Sequence, residues 1–202
     1  MRMQLDFFQL RDIKIGRRPT RVDMFESSDI PMREFLREGW LRFLKQTKSL
    51  CSEEAGWLNT EVEEFLYYLE RTRMVKAYKI PTVASFLDLH GVVPKVSLAR
   101  IGRSMLDFYH DNAVHQDDLT GKSNRNWRLW GEKEFAALSR RNPVRYLNKS
   151  RFFHYDEVNE QFSLAAGLHP FLSPILAGHI RDILDYRCRD FFYKRCQREL
   201  GQ

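Results

Sequence analysis

Apolar side chains recur along most of this chain at steps of three and four residues, the spacing of one helix face. Phe35, Leu36, Trp40, Phe43 and Leu44 form one such run from Pro31 onward, and Val62, Phe65, Leu66 and Leu69 form a second. A third holds Leu98, Ile101, Met105, Leu106 and Phe108, and a fourth holds Ile180, Ile183, Leu184, Phe191 and Phe192. Only 10 glycines and 7 prolines interrupt the 202 residues, so long helices have room to form. The 15 Phe, 8 Tyr and 4 Trp give those helices wide faces to bury. The pattern predicts a mainly α protein, with one full core or two small helical subdomains sharing a surface.

Boundary signals refine this reading. The opening "MQLDFFQLRDIKI" alternates well enough to read as a strand or an extended arm, followed by the basic loop "GRRPTRVD". "SLCSEEAGWLN" reads as a turn, and Thr60 with Glu63 three residues on forms an S/T-x-x-E box opening the next helix. A helix is expected over 80–88 with Gly91 at its end, and another from Ser97. Joined by "LHGVVPKV", these two have the look of a helix-turn-helix unit. "GEKEFAALSRRNPVRYLNKS" reads as a helix ending near Asn142, then a further turn from Pro143. "FFHY" and "QFSL" flank the turn "DEVNE", giving a winged-helix-like hairpin near residues 152–164. The expected organisation is an N-terminal arm and helical region over 1–72, a winged-helix-like module over 73–166, and a C-terminal helix over 167–202.

The charge is uneven. The whole chain carries +6, whereas the stretch from Gly121 to His154 alone holds nine cations against Glu132 and Glu134, an excess of seven. These cations are Lys122, Arg125, Arg128, Lys133, Arg140, Arg141, Arg145, Lys149 and Arg151. Trp127 and Trp130 stand among them, and Asn124, Asn126, Asn142 and Asn148 add amides able to meet phosphates or base edges. A loop, helix and hairpin with this charge are what a winged helix sets beside DNA.

A second cluster, Arg71, Arg73, Lys76 and Lys79, precedes the helix that Pro81 opens. Arg71 and Arg73 fit the C-terminal end of the preceding helix, where its dipole favours cations. Lys76 and Lys79 instead stand ahead of a helix start, which a DNA phosphate held there would make favourable.

No catalytic set is legible. "HDNAVHQDD" gathers His110, Asp111, His115, Asp117 and Asp118, but its histidines are five apart rather than the four of H-E-x-x-H, so the run reads as a polar loop. Asp12-x-Lys14, with Asp6 upstream, is spaced too tightly for a metal-dependent nuclease hairpin. Cys51, Cys188 and Cys196 form neither a disulfide framework nor a zinc ribbon. His90, His154, His169 and His179 read as structural. No cofactor or metal is therefore expected. No apolar run approaches the roughly 18 residues of a membrane span, and charges occupy the N-terminus where a signal peptide would be apolar. A cytoplasmic location is the expectation.

The runs "KAYKIPTVASFLDLHG", "VSLARIGRSMLDFYHDN", "HQDDL" and "RNPVRYLNKSRFFHYDE", from Lys76 to Asp156 and its neighbour, carry a likeness. This stretch resembles a module at the C-terminal end of bacterial restriction and phage-defence proteins, next to helicase and nuclease domains. There a "K-S-Y-K" start precedes a hydrophobic helix, and "N-P-hydrophobic-x-x-L" precedes "F-F-x-Y-D". Here Ala77 replaces the usual serine, and Pro81 lies in the following helix. The resemblance implies a nucleic-acid-handling module and supplies no catalytic residue. Helicase and nuclease motifs are missing from the chain itself, so it implies a separate subunit. Two expectations follow: a double-stranded-DNA-binding accessory or recognition subunit, or an adaptor that docks a helicase or nuclease subunit through its basic face and its final helix, where Phe191, Phe192 and Tyr193 adjoin.

Overall fold

The apolar runs close on two cores joined by one long helix. A computed structural model describes residues 2–121 and 124–201. The protein is mainly helical, with one small antiparallel sheet. No helix among the described residues is long and apolar enough to cross a membrane.

The N-terminal segment is not a strand or an arm. It forms helix α1 (Arg2–Ile15), in which Gln4 and Phe8, one turn apart, face inward. Leu, Gln, Arg and Lys favour helix, and one aromatic anchor suffices to hold it: the Phe8 ring meets Phe43 edge-on at 5.3 Å and Trp40 at 6.0 Å. Helix α2 (Arg21–Ser27) opens with a capping box between Thr20 and Asp23. The run from Pro31 divides into α3 (Met32–Phe35) and α4 (Trp40–Gln46). The break falls at Gly39, whose φ of +91° suits glycine alone. Met24, Met32, Phe35, Trp40, Phe43 and Leu44 fill the smaller core with Phe8.

The stretch expected as a turn after residue 48 contains helix α5 (Ser52–Gly56), because the Glu54 carboxylate accepts the Cys51 amide at 2.8 Å and so starts it. Helix α6 (Glu61–Arg71) is capped by Thr60 as expected, through the Val62 amide. Glu63 does not complete the box. It takes the Asn59 amide at 2.6 Å and the Arg42 guanidinium at 2.5 Å.

Helix α7 (Lys79–Ala84) is shorter than the expected 80–88, and Gly91 does not cap it. The chain instead folds back on itself, with Leu87 bridging Val92 and Asp88 accepting the His90 and Gly91 amides. Strand β1 (Lys95–Ser97) then intervenes before α8 (Leu98–His110), so α7 and α8 are not joined by a simple turn. The closely packed pair is α8 with α9 (Glu132–Ser139). A Cβ on Gly102 would sit 2.3 Å from the Glu132 carbonyl and 2.9 Å from Ala136, so only glycine lets these two helices approach so closely.

The expected hairpin is present as β2 (Phe153–Asp156) and β3 (Gln161–Leu164). β1 pairs with β3 on its other side, giving the order β1-β3-β2, with Val96 and Tyr155 both opposite Phe162. Phe162 is fully buried and stacks on Phe153 at 5.2 Å. The last helix, α11 (Pro174–Leu200), begins at a Ser173 cap and lends Tyr186 to the smaller core. Its Ile180, Ile183, Leu184 and Phe192 enter the larger one, alongside Phe65, Leu66 and Leu69 of α6. The larger core thus draws on all three expected segments.

Two buried ionic clusters tie the parts together. Arg21 is fully buried. Its Nη2 donates to Glu70 Oε1 at 2.6 Å and its Nη1 to Asp182 Oδ2 at 2.7 Å, while Trp40 lies 5.3 Å beneath the guanidinium. Glu54, also buried, accepts both Arg18 Nη atoms at 2.6 Å and His179 Nε2 at 2.7 Å.

Removing one partner of a buried ion pair strands the other charge, at a cost of about 3–5 kcal/mol. Arg21→Ala is expected to destabilise the protein by that amount, read as a lowered urea midpoint. Burial pushes the Glu54 carboxyl up, but hydrogen bonds from His179, Arg18 and the Cys51 amide outweigh it and hold the group far below the usual carboxylate range. That stability is complete above the unfolded pKa of about 4.3 and is lost as pH falls below it. Thermal melts should therefore show a steep fall in Tm below about pH 4, and a shallower one in Glu54→Gln.

Candidate nucleic-acid interface

The basic stretch folds into one helical rod. α9 runs into a π turn (Arg140–Val144) and then into the short helix α10 (Arg145–Leu147). The π turn has a local cause. Pro143 lacks an amide hydrogen and its ring would strike the carbonyl four residues back in a regular α-helix. Widening by one residue relieves the clash and keeps the rod unbroken.

Phe135, Leu138, Pro143, Val144 and Leu147 turn one side of the rod into the core. The opposite side exposes Lys133, Ala137, Arg141, Arg145 and Lys149, each four residues after the last, with Arg140, Asn142 and Tyr146 beside them. This row runs from α9 across the π turn and α10 to Lys149 just past its end. No carboxylate among the described residues pairs with Lys133, Arg141, Arg145 or Lys149. Arg141 Nε reaches back to the Ala137 carbonyl at 3.3 Å, and Lys149 lies 5.1 Å over the Tyr146 ring. Arg140 stands 3.7 Å from Glu160, and Arg151 is ion-paired with Glu64.

The other expected site residues lie elsewhere. Arg125 and Arg128 are exposed before the rod, with Arg128 over the Trp127 ring at 4.8 Å. Lys122 falls outside the described residues. Trp127 is buried and Trp130 meets Phe135 edge-on at 5.6 Å, so both tryptophans serve the core. Asn124 is buried and donates to the Tyr78 hydroxyl at 3.3 Å, while Asn148 accepts the Tyr155 amide at 2.7 Å.

Lys76 and Lys79 are half-buried and committed to internal acceptors. Lys76 Nζ donates to the Asp118 carbonyl and to the Tyr78 hydroxyl. Lys79 Nζ donates to Thr72 Oγ1 at 2.7 Å and to the Arg73 carbonyl at 2.9 Å. Both ammonium groups thus find oxygen acceptors inside the fold, those of Lys79 lying just past the end of α6. Arg71, as expected, ends α6, and its guanidinium holds the Leu36 and Arg37 carbonyls.

The cluster from His110 to Asp118 has an organising role. Asp118 is buried; its carboxylate accepts the Ala77 amide at 2.6 Å, the Tyr109 hydroxyl at 3.4 Å and Arg195 Nη2 at 2.5 Å. Its carbonyl takes the Tyr78 hydroxyl at 3.1 Å. His115 is stacked between Phe108 at 4.0 Å and Phe192 at 4.7 Å, and burial lowers its pKa. Asp12 and Lys14 lie on helix α1, not on a strand. No group of three His, Cys, Asp or Glu side chains among the described residues is placed to hold a metal ion.

Two features escaped the sequence reading. Tyr146 is half-exposed in the middle of the basic row, a place its position three residues before Lys149 would have indicated. The hairpin tip is acidic, with Asp156, Glu157 and Glu160 around the exposed Val158. Of the residues behind the expected likeness to defence-system modules, Tyr78, Pro143, Val144, Leu147, Phe152 and Phe153 are buried, whereas Lys76, Lys79, Asn142, Tyr155 and Asp156 are not. No protein-family model, curated protein or solved structure matches the chain.

Asp118→Ala is expected to cost about 3 kcal/mol or more, since it strands the partly buried Arg195. A urea titration checks the loss, and amide exchange should quicken at Ala77.

Proposed function

We propose that this protein binds double-stranded DNA through the exposed face of the α9–α10 rod. The observation that carries the reading is the row Lys133, Arg141, Arg145 and Lys149, at helical spacing and with no carboxylate within ion-pair distance among the described residues, on a rod whose other face is anchored in the core. An α-helix about 10–12 Å across fits a major groove about 12 Å wide. Flanking cations then meet phosphates, and Asn142 and Tyr146 reach base edges or sugars. The order α8, α9, hairpin, with β1 completing the sheet, supports a winged-helix reading in which this rod takes the groove. The acidic hairpin tip would be repelled by phosphates, so contact rests on the rod rather than on the wing.

The likeness to defence-system modules supports a place beside helicase or nuclease subunits, as an accessory or recognition subunit of a bacterial restriction or phage-defence system. A second reading, an adaptor for such a subunit, draws on the concavity of about 890 Å³ between α2, α3, α6 and α11, where Phe25, Ile30 and Tyr193 stand among charged residues such as Glu26, Asp29, Arg33 and Asp190.

Fluorescence anisotropy with labelled duplex across a salt series tests the first reading. The expected result is a steep negative dependence of affinity on salt. In the triple variant Arg141→Glu, Arg145→Glu, Lys149→Glu, affinity should fall more than about tenfold and the log–log slope should shrink by about 0.9 per lost phosphate contact. Unchanged affinity in the folded variant would refute the assigned face. No duplex binding by the wild type, with firm capture of a helicase or nuclease, would favour the adaptor.

A further inference from the structure

The concave surface between residues 73–75 and the last turns of α11 encloses about 470 Å³ and is lined by five cations and one carboxylate. Two of the cations are neutralised: Lys194 Nζ by Asp190 at 2.7 Å, and Arg195 by Asp118 at 2.5 Å. Arg73, Arg187 and Arg198 have no carboxylate within ion-pair distance among the described residues. Arg73 and Arg198 are exposed, so water can solvate them.

Arg187 is different, being half-buried. Its Nη1 donates to the Glu70 carbonyl at 2.6 Å and its Nη2 to the Thr72 carbonyl, which closes the end of α6. Its Nε is buried with no hydrogen-bond partner among the described residues. Lys79 adds a second cation at the same place, bonded to Thr72 Oγ1. Burial lowers the pKa of both groups, and the neighbouring Arg187 charge lowers Lys79 further. The contrast with Arg21 is instructive, because there the fold answers a buried guanidinium with two carboxylates. At Arg187 and Lys79 the hydrogen-bond partners among the described residues are carbonyl and hydroxyl oxygens, Asp190 and Glu70 act on Arg187 only from beyond ion-pair distance, and the two like charges are held near each other. Concave low-dielectric walls focus such a field on whatever enters the groove.

An anion with several oxygens and more than one negative charge answers this arrangement. Arginine forks at Arg73 and Arg198 suit bidentate contact with phosphoryl oxygens. We propose that the groove between Arg73, Arg187 and Arg198 binds a phosphoryl group, as an anion site separate from the α9–α10 face. The source is either a free polyphosphate compound or the backbone of a nucleic-acid strand.

Calorimetric titration of the full chain with inorganic tripolyphosphate, and separately with single-stranded oligothymidine, tests this at about 0.1 M salt, where charges beyond about 10 Å are screened. Saturable tripolyphosphate binding points to a free phosphate, and binding of oligothymidine alone points to a strand. In either case the double variant Arg73→Glu, Arg198→Glu should weaken binding by at least about tenfold. Both substituted residues are exposed, and circular dichroism verifies the fold. Full affinity in the folded double variant, or no binding of either probe to the wild type, overturns the proposal. Duplex binding measured on the same variants separates the two sites: its absence would sink the α9–α10 reading and leave this one standing.

Discussion

The fully buried Arg21 is the charge on which the joint between the two cores turns. Arg21 enters from the start of α2, pairs with Glu70 near the end of α6 and Asp182 on α11, and lies against Trp40 of α4. Glu70 also accepts the Trp40 amide, and Asp182 accepts the Arg21 amide at 3.1 Å. Four helices from distant parts of the chain thus depend on one guanidinium being fully satisfied. Hydrophobic burial alone tolerates sliding between packed faces, whereas a buried charge has few acceptable positions. The cluster therefore sets how the smaller core sits on α11, and with it the relation of the N-terminal helices to the groove at Arg187.

Function, in this account, depends on what the fold leaves unneutralised. Asp118 binds Arg195 and the backbone at Ala77, Glu64 holds Arg151, and Glu54 holds Arg18. Such pairing absorbs much of the positive charge that the sequence displays. Among the described residues, two groups of the cations left without an ion-paired carboxylate lie together: those on the α9–α10 face, where the π turn at Pro143 keeps cations in line across a proline, and those of the groove by α11. The acidic hairpin tip confines the first of these to the rod, since a duplex draped over both would bring phosphates against Asp156, Glu157 and Glu160.

The longer helices with strong apolar spacing were legible, as with Phe65, Leu66 and Leu69 in α6 or Ile101 and Met105 in α8, where Thr60 and Ser97 also mark the starts with side-chain oxygens, whereas the short α2 and α5 lie in stretches that read as a loop and a turn. The β2–β3 hairpin was legible from its alternation. α1 was misread since one buried aromatic, Phe8, makes no periodic pattern, and β1 was missed because three residues are too few to show one. The basic row could be read from local charge, whereas the fates of Lys76 and Lys79 could not. Their acceptors are main-chain oxygens and hydroxyls at Asp118, Tyr78, Thr72 and Arg73, whose approach depends on tertiary folding. The groove at Arg187 was hidden for the same reason: Arg73 and Arg198 are 125 positions apart.

The central claim is that a nucleic-acid duplex lies along the α9–α10 rod and avoids the hairpin tip. Backbone amide chemical shifts, followed by NMR as unlabelled duplex is titrated into the labelled protein, test it most directly. The account predicts shifts concentrated at residues 133–149 with 156–160 unmoved. Shifts centred on 156–160, or none in the rod at saturating duplex, would contradict it.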